Sequence, residues 1–336
     1  MLAAFLSALC LLPSVTSYVY QADLSPRFQW TNNAGYCGEV STIMAGLKYG
    51  QYLSQYDVRA LAAKSTKNVQ TNTQYLVGVN DQHCATNVRL NSIEYSGKTT
   101  NEYLAWAKKM IRQGYAVTIT VYMNHYLFYG QTDPSAGDDE YDHIVSVYQI
   151  ESQFDDDNYH DSDVLTLEDH GLWNPIATGP TYLFNYTFAD FQGTRKSSNA
   201  KDGPIYTLPS AGVANYGITH TGATDTDGDL VPVRVATNVN YEDPSIKKGS
   251  ETRPASMPID LTITVSGLTD GVQYVMYWYT DEAAVPTSKF NANSKGKSAV
   301  KKTFSFTGTT AGTYTVTETI QSSDKAFFRA VRADAK

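Results

Sequence analysis

The sequence predicts an α+β fold followed by an all-β region, on three observations. In the first part, apolar residues recur at helical spacing and then give way to β-branched runs. From about Gly203 the helical patterns fade, and short strands follow one another between turn signals such as "LTDG" and "TTAG". Tyrosine is frequent, with 25 residues, and favours strands with amphipathic surfaces. A length of 336 residues suits two domains. The formal charge of −8 argues against nucleic-acid binding, which calls for a basic patch or stripe.

The chain opens with an apolar run from Leu2 to Val15, closed by the small-residue site Val15-Thr16-Ser17. Residues 1–17 are therefore expected to be a secretory signal peptide, and the mature chain extracellular. Pro13 would sit badly in a buried helix there. No later stretch is long and apolar enough for a membrane span.

Val40, Ile43, Met44 and Leu47 form one apolar helical stripe, with Cys37 at or just before its first turn. "GQYLSQYDVRALAAK" carries a second short helical pattern. "TTNEYLAWAKKMIRQG" predicts a third helix: Thr100 or Asn101 caps it, Leu104, Ala107 and Ile111 share a face, and Gly114 ends it. "YAVTITVYM", "DHIVSVYQIE" and "DVLTLED" read as strands, the last two separated by the acidic loop "SQFDDDNYHDSD". Further on, "LVPVRVATNV", "DLTITVSGL", "VQYVMYWYT", "KKTFSFTG", "GTYTVTETI" and "KAFFRAVRA" read as the strands of a β-sandwich. "GLTDGVQYVMYWY" resembles the turn and tyrosine-bearing strand of immunoglobulin- or fibronectin-like sandwiches. The expected division is 18–202 for the α+β domain and 203–336 for a β-rich, separable region whose sandwich covers about 255–336.

Removal of the signal takes Cys10 with it and leaves Cys37 and Cys84. A secreted chain with two cysteines invites one disulfide. The setting of Cys37 suggests catalysis instead, because a helix N-terminus and a neighbouring imidazole both favour a thiolate. Of the six histidines, His83, His125, His160, His170 and His220 read as solvated. His143 differs, because it opens a strand and has a defined direction. The next strand ends in Asp169, and if the two strands pair, that carboxylate reaches the ring of His143 and orients it. Glu39, two residues after Cys37, opposes a thiolate unless it is turned away. "DTDGD" at 225–229 alternates carboxylates but lacks the distal Glu of a calcium loop and reads as a turn. "NYT" at Asn185 is a glycosylation sequon. No metal ligand set and no cofactor motif is expected.

"GYCGEVSTIMAGL", "YDHIVSVYQIE" and "VLTLEDHGLWNP", in this order, resemble the papain-like cysteine peptidase superfamily, and within it the bacteriocin-processing type. The resemblance spans roughly Gln29 to Asn174. It implies a papain-like domain with Cys37 as nucleophile, His143 as general base and then acid, and Asp169 as the orienting residue. The family also places a Gln ahead of the Cys as oxyanion donor. Thr31 occupies that position here, so Gln29, Asn33 or Asn32 would serve, in that order of preference. The implied activity is a secreted cysteine hydrolase acting on protein or peptide. Transglutaminase- or deamidase-type acyl transfer is the first alternative. The second is a non-enzymatic binding or toxin-like protein with a Cys37–Cys84 disulfide.

Overall fold

A computed structural model describes residues 17–29, 36–63, 74–129, 141–170, 182–194, 199–209, 214–239 and 255–336. Residues 1–16 of the expected signal peptide, Asn32, Asn33 and most of "QTDPSAGDDEYD" lie outside the described residues.

The first helix, α1 (Cys37–Lys48), is the centre of the molecule. Its stripe predicted one buried face, yet every residue from Cys37 to Leu47 is buried. It packs on the main sheet, on a second helix, α2 (Gln55–Ala62), and on strands of the β-rich part. Two polar residues tolerate this burial by bonding their own helix: Ser41 Oγ donates to the Cys37 carbonyl and Thr42 Oγ1 to the Gly38 carbonyl, both at 3.1 Å. Burying Val40, Ile43, Met44 and Leu47 contributes about 1.5–3 kcal/mol each, far more than helix propensity supplies over so short a segment. Gly38 allows the closest approach. A Cβ there would stand 2.2 Å from the Tyr75 ring and 3.0 Å from Ile144 Cδ1.

The main sheet contains β1 (Tyr18–Gln21), β3 (Leu90–Gly97), β4 (Ala116–Met123), β5 (His143–Ser152), β6 (Val164–Asp169), β7 (Tyr182–Thr187) and β10 (Asn215–Ala223). Its order is β3-β10-β4-β5-β6-β7, all antiparallel, with β1 pairing the far end of β5. Short β8 (Gln192–Gly193) and β9 (Tyr206–Pro209) attach beside β4. Because β10 lies between β3 and β4, the first sheet extends past the boundary expected at 203. The third predicted helix, α4 (Thr100–Arg112), is present, with Leu104, Ala107 and Ile111 buried and Gly114 at φ +74° after its end. Its N-cap position is Thr99, one residue before the expected cap. Lys108 on this helix is buried and donates to Asp163 Oδ2 at 2.8 Å, Ser152 Oγ at 3.1 Å and the Asn158 carbonyl at 3.1 Å. The acidic loop is thus folded around an ammonium rather than left in solvent. A short helix, α3 (Asp81–Asn87), was not expected.

The β-rich part contains β11 (Leu230–Val231), β12 (Val233–Thr237), β13 (Pro258–Ser266), β14 (Gln273–Tyr279), β15 (Val300–Thr307), β16 (Thr313–Gln321) and β17 (Ala326–Arg332). One sheet runs β12-β13-β16 and the other β11-β17-β14-β15. Ile259, Leu261, Ile263 and Val265 alternate inward along β13, the period expected of a half-buried strand. Among the described residues no helix is long and apolar enough to cross a membrane.

The two parts are not independent. A short strand next to α1, β2 (Gln51–Tyr52), pairs with β17 of the sandwich. The Tyr52 hydroxyl donates to the Ser322 carbonyl at 3.0 Å. The buried Arg329 guanidinium donates to the Gly50 carbonyl at 3.3 Å and to Gln51 Oε1 at 2.9 Å. Truncation of the β-rich part would expose β2, Gly50 and the underside of α1. The full chain is therefore expected to unfold in one calorimetric transition rather than two, and Tyr52→Phe to lower stability by about 1 kcal/mol in denaturant titration.

Candidate active site

Cys37 is the first residue of α1, and Tyr36 at the N-cap offers no side-chain acceptor to the first turn. The positive end of the helix dipole is thus left to the thiol and its surroundings. His143 is the first residue of β5. The close approach of Gly38 to Ile144 brings these two ends together, since Cys37 and His143 are each one residue back along their own elements. His143 hydrogen-bonds the Cys37 side chain. Its Nε2 lies 3.3 Å from Asp169 Oδ1, which leaves Nδ1 as the nitrogen for sulfur. Cys37, His143 and Asp169 are all buried.

The position of Asp169 depends on a bulge. Near His143 the ladder pairs Ser146 with Glu168 and Val147 with Leu167, whereas beyond Tyr148 it pairs Gln149 with Thr166. Tyr148 is the extra residue, and its carbonyl accepts from the Ala22 N–H at 3.0 Å. Without it Asp169 would stand opposite Ser146, on the wrong side of the sheet. With it Asp169 stands opposite Val145 and shares a side with His143.

Burial pulls the His143 pKa down, but the Cys37 charge, the bonds to Asp169 and Cys37, and the Asp169 charge outweigh it and raise it to about 10. The ring is an imidazolium throughout the neutral range. Tyr206 on β9 stacks on this ring with centroids 5.6 Å apart and planes 27° apart, fixing its orientation.

Other buried titratable groups around the site are neutral or paired. Glu39 accepts from Arg59 Nε at 2.7 Å and from the Tyr75 N–H at 3.1 Å, so its carboxylate is engaged by a cation. The guanidinium of Arg59 also lies 3.5 Å from the Tyr36 ring centroid. Glu168 stands opposite Ser146, whose Oγ contacts Met44 Sδ on α1, so the register puts its carboxyl on the α1 side. Neither of its oxygens has a hydrogen-bond partner. Burial, and then the charge of Asp169, raises its pKa to about 8, so it is protonated at neutral pH.

His170, expected to be solvated, is fully buried beside the site, its ring 6.2 Å from that of His143. Its Nε2 lies 2.7 Å from Ser41 Oγ. The same hydroxyl is within hydrogen-bond distance of the Cys37 carbonyl, so Ser41 links the two residues. Burial, then the His143 cation, lowers the His170 pKa to about 3, so this ring stays neutral. The Cys37–Ser41–His170 chain ties the start of α1 to the end of β6. Ser41 could have been found from its i+4 spacing to Cys37. Nothing local marks His170 or Tyr206. His220 is also buried, contrary to expectation, whereas His83 is exposed and His125 and His160 are half-buried.

Gln29 is buried, and its backbone N–H donates to the His170 carbonyl at 2.8 Å. Its Oε1 is buried without a hydrogen-bond partner. This residue is thus anchored beside Asp169. Cys84 lies within α3, buried, its thiol pushed well up by burial and by the Glu39 and Asp81 charges. Cys37 and Cys84 are both free thiols, so the structure contains no Cys37–Cys84 disulfide. Among the described residues no cluster of His, Cys, Asp and Glu could hold a metal ion. Asp225 accepts from the N–H groups of Asp227, Gly228 and Leu230, the turn expected of "DTDGD". No family model, no curated protein and no solved structure matches the chain.

Two outcomes follow from the electrostatics. By NMR, His143 is expected to titrate near 10 in the native protein and lower in Cys37→Ser, which removes the Cys37 interactions that raise it. Its folded pKa lies above the unfolded value, so the stability it confers is complete below about pH 6.5 and lost as pH rises through about 10. The Glu168 pKa is also raised, so its burial becomes more costly between about pH 4.5 and 8. The stability of Glu168→Gln relative to native should therefore rise from pH 5 to pH 8, as read by urea denaturation at both values.

Proposed function

We propose that the chain is a secreted papain-like cysteine hydrolase acting on a protein or peptide. One observation carries the reading: a single imidazole bonds a thiol at a buried helix N-terminus and, through Nε2, a buried carboxylate. Sulfur, imidazole and carboxylate in that order are the parts of nucleophilic acyl transfer. Their separation in sequence, across 132 residues from position 37 to 169, argues against chance adjacency of neighbouring side chains.

In this mechanism the Cys37 thiolate attacks the substrate carbonyl carbon. The carbonyl π electrons move to oxygen, and the oxyanion is stabilised by the Cys37 N–H at the helix start and by the Gln29 amide. The imidazolium of His143 gives its proton to the leaving amine as the C–N bond breaks. A thioester and a neutral imidazole remain. His143 then takes a proton from water, the hydroxide attacks the thioester, and the carboxylic acid leaves as the thiolate is restored. Asp169 and the stacked Tyr206 hold the ring in one orientation through both steps. Glu39 does not compete for the imidazolium because Arg59 pairs it.

Iodoacetamide at pH 6.5, read by mass spectrometry of the native protein, should label Cys37 and spare Cys84, and His143→Ala should slow that labelling. Hydrolysis of a mixed peptide library should be abolished in Cys37→Ala and reduced on the order of 10²–10⁴-fold in His143→Ala. Equal labelling of both thiols, or peptide cleavage that survives Cys37→Ala, would contradict the reading. Incorporation of a labelled amine into glutamine peptides without net hydrolysis would favour the transglutaminase-type alternative.

A further inference from the structure

Strand β7 closes one end of the main sheet, and among the described residues it pairs only with β6. Its segment, Tyr-Leu-Phe-Asn-Tyr-Thr, has no charge, no Pro and no Gly. High β-propensity without charge on a free edge is the signature of a strand that recruits another strand. The other sheet ends are guarded. β3 carries Glu94, β12 carries Arg234, β16 carries Glu318, and β15 carries Lys301 and Lys302. Lys301 is also the extra residue of a bulge, since Trp278 faces Lys302 and Tyr279 faces Val300. β11 has only two residues.

The side chains of β7 divide between the two sides of the sheet. Phe184 and Tyr186 turn inward: the Phe184 ring lies 5.2 Å from that of Tyr206, and the Tyr186 ring 4.9 Å from that of Phe191. Leu183 and Asn185 turn the other way and are exposed, Leu183 to 44%. Asn185, Tyr186 and Thr187 form the one Asn-x-Ser/Thr sequence in the chain. The sequon thus falls on the uncharged edge, beside its exposed leucine. Asn185 stands opposite Thr166, about 10 Å along β6 from Asp169 and on the other side of the sheet, so a bulky group there does not obstruct the candidate site. The Thr187 hydroxyl donates to Asp190 Oδ2 at 2.7 Å and accepts from the Asp190 N–H at 3.1 Å, closing the turn after β7. Modification therefore precedes the folding of this turn, while that hydroxyl is still free.

We propose that Asn185 carries an N-linked oligosaccharide and that this glycan guards the β7 edge. The transfer joins Asn185 Nδ2 to the anomeric carbon of a lipid-pyrophosphate-linked oligosaccharide. The anomeric C–O bond breaks, its electron pair leaves with the pyrophosphate, and Nδ2 gives up one proton to the transferase. The hydrated glycan covers Leu183 and keeps a second chain from the edge, the role that Lys301 and Lys302 play on β15. The inference rests on the secreted reading of residues 1–17 and not on the hydrolase reading.

The full chain is expressed in a glycosylating, secreting cell line behind an added secretory leader, and export by its own residues 1–17 is scored separately. Peptide mass spectrometry before and after peptide-N-glycosidase is expected to show one glycan, at Asn185, lost in Thr187→Ala, which keeps the asparagine. Trimming the glycan of the folded protein to a single sugar with an endoglycosidase should shorten the lag before aggregation, read by light scattering. This arm covers the case in which Thr187→Ala does not fold. Leu183→Lys should restore the lag of the trimmed protein by placing a charge on the edge. An unmodified Asn185, a lag unchanged by trimming, or a trimmed Leu183→Lys protein that aggregates as fast as the trimmed native chain would overturn the proposal. Cys37→Ala should carry the same glycan, so the outcome is independent of the candidate active site.

Discussion

Strand β5 carries one residue more than β6 across their shared ladder, and the composition of the site follows from that residue. Side chains alternate across a sheet with period two, so a shift of one residue exchanges the two sides. Past Tyr148 the register would set Asp169 beside Ser146. The bulge turns Asp169 to the side of His143 and sends Glu168 towards α1. The Asp169 carboxyl thus meets an imidazole, and the adjacent Glu168 carboxyl, which has no hydrogen-bond partner, remains protonated. The bulge is held by a second contact, the Ala22 N–H on the Tyr148 carbonyl, so the residue that follows β1 takes part in setting the site.

Gly38 is the matching constraint on the helix side. The Tyr75 ring and Ile144 occupy the space of its missing side chain, so α1 lies against β5 more closely than any other residue would permit. That contact sets how near Cys37 comes to His143. It also buries the helix start, and every charge there must then be matched or suppressed. Arg59 pairs Glu39, His170 is neutral and bonded to Ser41, and Glu168 keeps its proton. What remains is the His143 imidazolium beside Asp169.

The same burial explains why the β-rich part belongs to one unit with the first sheet. A helix packed on one face could have displayed its polar residues to water. Here β2 and β12 cover the remaining surface of α1, and Arg329 crosses to the carbonyls that follow the helix. One end of α1 carries the thiol, and the other end, at Lys48 and Tyr49, lies beside Val233, Phe328 and Arg329 of the β-rich part. The helix is therefore a rigid link between the candidate active site and the interface of the two parts.

By itself the sequence determined the elements whose signal is local. The stripe Val40-Ile43-Met44-Leu47, the β-branched runs of β4, β5 and β6, and the six runs in the β-rich part all recur as helix or strand in the structure. It also singled out Cys37, His143 and Asp169, because a helix start, a strand start and a strand end are visible as breaks in periodicity. Long-range pairing decided the rest. β10, with three glycines or alanines among "NYGITHTGA", has a weak strand signal and became central only by inserting between β3 and β4, which moved the end of the first sheet beyond position 203. The burial of His170 and His220, the pairing of Glu39 with Arg59 and the stacking of Tyr206 on His143 join residues that are distant in the chain or carry no periodicity of their own. The bulge at Tyr148 depends on which strand lies alongside, and a single strand's sequence contains no record of its neighbour's register.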